Sequence, residues 1–219
     1  MKLTDFKQPS VTTDIVIFSI KDNKLSVLLI KRGINPFKGD WAIPGGFVHI
    51  DESLEEAARR ELKEETGVEA KYLEQLYTFG EVKRDPRGRV ISVAYFALIN
   101  PKINTKLSAT TDAEEAKWFP TNALPKLSFD HKKIFDYAIQ RLQWKFEYTT
   151  IAFSLLPKKF SLTQLQKIYE TVFDKKFDKR NFRKKLFSLN IIKETQEIQE
   201  GVSFRPAHLY QFTGKIGDI

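Results

Sequence analysis

Two stretches of this chain, residues 15–20 and 25–30, are almost wholly aliphatic and β-branched, with Lys21-Asp22-Asn23-Lys24 between them. That pattern predicts two core strands joined as a hairpin. Residues 72–82 and 90–99 alternate as strands of a second hairpin around Arg84-Asp85-Pro86-Arg87-Gly88-Arg89, where Asp-Pro followed by Gly is turn chemistry. Between the hairpins the period changes to that of a helix. Leu54, Ala57, Ala58 and Leu62 fall on one face of residues 54–66, after a Ser53/Glu56 capping box and before Gly67 as a stop. Residues 116–119 predict a short strand. Residues 129–146 predict a helix with Asp130 as N-cap and Ile134, Phe135, Ala138, Ile139 and Leu142 turned inward.

Beyond residue 148 the pattern is a small helical unit followed by strands. Residues 149–156 predict a short apolar helix stopped by Pro157. Residues 161–173 predict a second helix, with a Ser161/Gln164 capping box and Leu162, Leu165, Ile168, Tyr169 and Val172 buried. A third helix follows Asp178, with Phe182 and Leu186 facing the core and Lys179, Arg180, Arg183 and Lys184 outward. Residues 191–195 and 208–212 predict two strands. The fold class is therefore α+β, a mixed-sheet domain at residues 1–147 followed by a small winged helix-turn-helix at 148–219.

Charge sharpens that division. The 219-residue chain carries a formal +8. Residues 158–193 hold eleven Lys or Arg against three acids, so this segment alone is +8 and the remainder sums to zero. Such concentration suits nucleic acid at the third helix, where Lys179, Arg180, Asn181, Arg183 and Lys184 are of the types that contact bases and phosphates; a solvated basic face is the alternative. DNA binding by a helix-turn-helix at a palindromic site predicts a homodimer. Hydrophobic residues make up 42% and charged residues 29%, enough for a core and a soluble surface. With no cysteine, no apolar run near the ~20 residues of a membrane span and a polar start, a cytoplasmic protein without membrane partners is expected.

Chemistry concentrates at residues 46–68. Glu61, Glu64 and Glu65 stand at i, i+3 and i+4, so one helical face carries three carboxylates, a donor set that suits a hard divalent cation. Arg60 is placed to hold Glu64. Upstream, Gly39, Trp41, Pro44, Gly45 and Gly46 form a tight loop that brings backbone near a metal or phosphate. Arg32, at the end of the second strand, either meets a substrate phosphate or solvates the strand end. Arg84, Arg87 and Arg89 either crown an ordinary turn or grip an anion. Asp112, Glu114 and Glu115 are a further place for a ligand or base, and His131 is expected to be structural or at the surface.

Gly46, Glu52, Arg60, Glu61, Leu62, Glu64, Glu65, Gly67 and Val68 match every fixed position of the Nudix box, G-x5-E-x7-R-E-U-x-E-E-x-G-U, and the chain thereby resembles Nudix hydrolases. The resemblance implies an α/β/α sandwich that binds Mg²⁺ or Mn²⁺ and hydrolyses a nucleoside diphosphate linked to a further moiety. It implies Glu52, Glu61, Glu64, Glu65 and the Gly46 backbone as metal ligands, Glu61, Glu64 and Arg60 as the catalytic group, and Arg32, Gly45, Arg84, Arg87 and Arg89 on substrate. Residues 84–95, 155–162 and 178–185 are similar to Nudix-related transcriptional regulators and their ADP-ribose-hydrolysing relatives. Members of that family often carry a degraded box, whereas here every position is intact. Two functions stay open: an ADP-ribose pyrophosphohydrolase with a DNA-binding arm, and a metabolite-responsive regulator with little or no hydrolysis.

Overall fold

The computed structural model describes residues 7–67, 69–70, 72–100, 113–201 and 206–216. Val68 of the box and Asp112 lie outside them. The two aliphatic runs form β1 (Ser10–Lys21) and β2 (Lys24–Arg32), antiparallel, with Ile17 opposite Leu28. Asp22 and Asn23 make the two-residue turn with φ of 48° and 61°, the left-handed pair that a tight hairpin requires. Short strands β3 (Trp41–Ala42) and β4 (Gly45–Phe47) follow, then α1 (Leu54–Thr66), β5 (Tyr72–Phe79), β6 (Val90–Leu98), β7 (Ala113–Pro120) and α2 (His131–Tyr148). The central sheet runs β3-β2-β1-β6-β5, with β4 on β1 and β7 on β2; β1 and β6 are parallel and the other pairs antiparallel.

Alternation along β1 feeds two apolar layers. Ile15 and Ile17 pack with Ala58 and Leu62 of α1 on one face. Val16 and Phe18 pack with Ile134, Phe135, Ala138 and Leu142 of α2 on the other, completing the α/β/α sandwich. Both capping devices of α1 form: Ser53 and Glu56 exchange hydrogen bonds, and Gly67 closes the helix at φ 69°. Strand β5 stops at Phe79 rather than residue 82, because residues 81–86 turn to bury Arg84 and Asp85.

After α2 the chain makes a 3-10 turn, Ile151–Leu155, in place of the expected helix. It continues as β8 (Lys159–Phe160), α3 (Leu162–Phe173), α4 (Lys179–Ser188), β9 (Ile192–Ile198) and β10 (His208–Phe212). The order β8-β10-β9 gives the winged sheet a third strand that the pattern did not reveal. Helix α3 starts at the expected capping box and α4 at Asp178, whose carboxylate accepts from the Asn181 N–H at 2.8 Å. The larger apolar cluster continues from the sandwich into this unit through Phe146, Ile151 and Leu165, and Asn100 donates to the Leu155 carbonyl at 3.1 Å. Among the described residues no helix is long and apolar enough to cross a membrane.

Candidate functional site

Strand β4 carries the glycine loop to α1. It pairs with β1 so that Gly45 lies opposite Asp14 and Gly46 opposite Thr13. The Gly45 N–H donates to Glu65 Oε2 at 2.7 Å. Gly46 passes closer still: a Cβ there would fall 2.1 Å from Glu61 Oε1, so only glycine leaves room for that carboxylate.

Arg60 gathers the other acids. Its Nε and Nη2 donate to Glu52 at 2.9 and 2.6 Å, a two-pronged pairing, and Nη1 donates to Glu61 at 2.7 Å and Glu64 at 3.1 Å. The Arg60 contact holds the Glu52 carboxyl down at about 2. Burial pushes Glu61 upward despite the same arginine. Glu61 and Glu65 are buried, while the Glu64 side chain remains 57% exposed. The helical spacing thus brings the acids to one side, but their oxygens meet at a guanidinium and at the Gly45 amide instead of a common point. Among the described residues, no three acids or histidines are gathered as a ready metal cage. The donor set still fits a divalent ion: Glu61 and Glu65 lie against the glycine strand with no Cβ between them, and Arg60 holds Glu52 and Glu64 beside Glu61.

Beside Gly45, Gly46 and Glu65 opens a cleft on the α2 side of the sheet, bordered also by Asp14, Arg32, Phe47, Arg87 and Phe129. Arg87 is forked onto Asp85 at 3.0 and 2.7 Å, and its guanidinium lies 5.2 Å from the Phe47 ring centroid and 5.7 Å from that of Phe129. Arg32 lies 5.0 Å from the Phe129 ring and donates to the Pro36 carbonyl at 2.8 Å. Two cations and two aromatic faces around one opening suit a flat base and an anionic chain.

The three arginines of the turn have separate fates. Arg84 does not crown a tip: its side chain is 4% exposed, donates to Asp130 at 2.8 and 3.1 Å and lies 3.4 Å from Asp14. It reaches the cleft only as part of the floor. Arg89 donates to the Gly80 carbonyl at 2.7 Å and is absent from the cleft lining. Arg87 alone combines half-exposure with a place on the wall. Asp130 occupies the N-cap position of α2 but makes no side-chain cap, because Arg84 takes its carboxylate. His131 is buried and borders the cleft. Its Nδ1 accepts from the Ile43 N–H at 2.9 Å, and burial lowers its pKa. Glu114 and Glu115 lie within β7 rather than before it, and neither borders the cleft.

Sequence reasoning missed Asp14, Phe47, Asp85 and Phe129. Asp14 was detectable as the one charge within the otherwise uncharged strand stretch 11–20. The phenylalanines gave no such signal, since 18 of them are spread along the chain.

On α4, Lys179, Arg180, Asn181 and Lys184 are exposed. Arg183 is not outward as expected: it is half-buried beside Tyr210, and its Nε is shielded from solvent without a hydrogen-bond partner among the described residues. Position 183 is one turn before the buried Leu186, at the edge of the core-facing stripe, and Tyr210 of the winged sheet lies beside it.

The sandwich, the box on α1 and the winged sheet define a Nudix domain joined to a winged helix. The NUDIX domain model matches residues 9–138, and that of the NrtR DNA-binding winged helix domain matches residues 152–212. Over 213 residues the chain is 39% identical to an ADPR responsive transcriptional repressor, NtrR, of Acinetobacter baylyi, covering 95% of this chain and 84% of that protein. An ADP-ribose pyrophosphatase of Methanocaldococcus jannaschii is 48% identical over 141 residues, 64% of this chain and 77% of the relative. The crystal structure of Shewanella oneidensis NrtR complexed with a 27mer DNA superposes with a TM-score of 0.81 at 34% identity, covering 92% of this chain and 93% of that one. The chain belongs to the Nudix family, in the branch that carries the NrtR winged helix.

Proposed function

We propose that this protein is an ADP-ribose-responsive, DNA-binding regulator whose Nudix domain keeps the machinery for Mg²⁺- or Mn²⁺-dependent hydrolysis of ADP-ribose or a similar nucleoside diphosphate derivative. The observation that carries the reading is the complete box, folded against a cleft of arginines and phenylalanines, in the same chain as a basic winged helix. The relatives named for ADP-ribose response and for ADP-ribose cleavage support both halves.

Glu52, Glu61, Glu64 and Glu65, with backbone at Gly46, would hold the divalent ion. Bound there, such an ion neutralises charge accumulating on the diphosphate and acidifies water for attack. Arg60 orients Glu52, Glu61 and Glu64 together, and the Gly45 N–H fixes Glu65. Glu64 would take the proton from the attacking water, a role supported by its being the most exposed of the box acids on α1. Arg87 and Arg32 draw the diphosphate into the cleft, and the faces of Phe129 and Phe47 receive the base. In the second domain Arg180, Lys184, Lys179 and Asn181 meet DNA, with two copies of the chain on a palindromic site.

Glu65→Gln tests the hydrolytic half: metal-dependent turnover of ADP-ribose should collapse while the thermal unfolding profile is kept, and unchanged turnover refutes the assignment. One observation favours a non-hydrolysing regulator as the second reading, namely that Arg60 engages three of the four acids. Under that reading ADP-ribose alters the shift of upstream DNA on a native gel although purified protein with Mg²⁺ releases no AMP.

A further inference from the structure

A cavity of about 600 Å³ lies in the second unit, bounded by the C-terminal end of α2, α3, the α3–α4 turn and α4. It is separate from the Nudix cleft and shares no residue with it. Its walls include Phe146, Phe153, Tyr169, Phe177 and Phe182. Lys175, Lys176 and Lys185 are exposed at its edge. We propose that this cavity is a second ligand site, for an amphipathic carboxylate with an aryl or medium-chain acyl body.

The volume falls within the range of roughly 300–1,000 Å³ typical of small-molecule sites, and the aromatic walls reward an apolar body. The lysines choose the sign of the head group. Lys176 pairs with Glu170 at 3.0 Å, but among the described residues neither Lys175 nor Lys185 is within ion-pair distance of an acid. The Lys175 ammonium lies 5.1 Å from the Phe177 ring centroid, at the junction of apolar wall and solvent where a carboxylate would sit. Two acids also border the cavity, Glu147 and Asp178, and Asp178 is committed to capping α4 through the Asn181 N–H. Setting aside the paired Lys176 and the capping Asp178 leaves two ammonium groups, Lys175 and Lys185, against one carboxylate, Glu147, and this balance favours an anion over a cation.

Calorimetric titration of the full chain with 2-naphthoate and with decanoate tests the proposal, using 2-naphthamide and decanol as neutral counterparts. The expected result is saturable binding at one site per chain, at least tenfold weaker for the neutral compounds and at least tenfold weaker in Lys175→Glu/Lys185→Glu. Leu189→Trp, which fills the mouth from the partly exposed end of α4, should abolish binding while its circular dichroism and thermal midpoint match the parent. Absence of saturable binding overturns the proposal, as does binding unaffected by both the lysine exchange and Leu189→Trp.

Discussion

Replacing each of the adjacent glycines of β4 by alanine should separate folding from chemistry. At Gly46 the new Cβ would lie 2.1 Å from Glu61 Oε1, against an ordinary contact of about 3.4 Å, so the carboxylate must retreat by about 1.3 Å. Glu61 ends a flexible side chain and can do so at small cost in stability, but it then leaves the position that Arg60 fixes. A misplacement near 1 Å costs on the order of 10²-fold in rate. At Gly45 the new Cβ would lie 2.1 Å from the Thr13 carbonyl oxygen and 2.9 Å from Asp14 Cα, backbone atoms of a strand paired on both sides. Overpacking against such a neighbour costs about 3 kcal/mol, or about 6–12 °C in Tm for a chain of this size. Thermal unfolding and AMP release from ADP-ribose with Mg²⁺ are measured on both variants. Gly46→Ala should unfold within about 2 °C of the parent yet lose roughly 99% of its turnover. The reasoning is refuted if Gly46→Ala unfolds as early as Gly45→Ala, or if it turns over at the parent rate.

Three further outcomes follow from the buried charges and the basic helix. Arg84→Ala leaves Asp14 and Asp130 buried without their cation and should cost about 3–5 kcal/mol in urea unfolding; a loss under about 1 kcal/mol would show that these acids relax to solvent. Burial keeps the folded His131 pKa below its ordinary 6.5, so the unfolded chain takes up the proton first. Its contribution to stability is therefore present above about pH 6.5 and lost as pH falls below it, and His131→Asn should flatten unfolding free energy against pH below about 6.5. An unchanged slope would place that pH dependence elsewhere. Arg180→Ala and Lys184→Ala should each weaken DNA binding and reduce the salt slope by about 1 without affecting ADP-ribose turnover; equal slopes would remove these side chains from the phosphate contacts.

The box and its helix were legible because their signals are local. Spacing, a capping box and a terminal glycine lie within a single stretch, and each acts on its own neighbours. The same holds for the Asp22-Asn23 turn and for the Ser161 and Asp178 caps. What escaped depends on partners distant in sequence. Nothing near Arg84 announces Asp130, 46 residues on, or the fate of the N-cap that Asp130 loses to it. Phe47 and Phe129 become a pair only when the sheet brings β4 beside the start of α2, and Arg183 is turned inward by a winged sheet whose strands lie further along the chain. The strand β8 has only two residues, too few for alternation to register.

Helix α2 begins at the floor of the cleft beside Gly45 and Gly46, where Asp130 and His131 are held, and ends against α3 through the rings of Phe146 and Tyr169, 5.3 Å apart. Its 18 residues make a rod of about 27 Å that neither stretches nor compresses appreciably along its hydrogen bonds. A rod anchored in this way turns a small tilt at one end into a sideways stroke at the other. Whatever fixes the Asp130 end of α2 therefore also fixes the surface on which α3 packs.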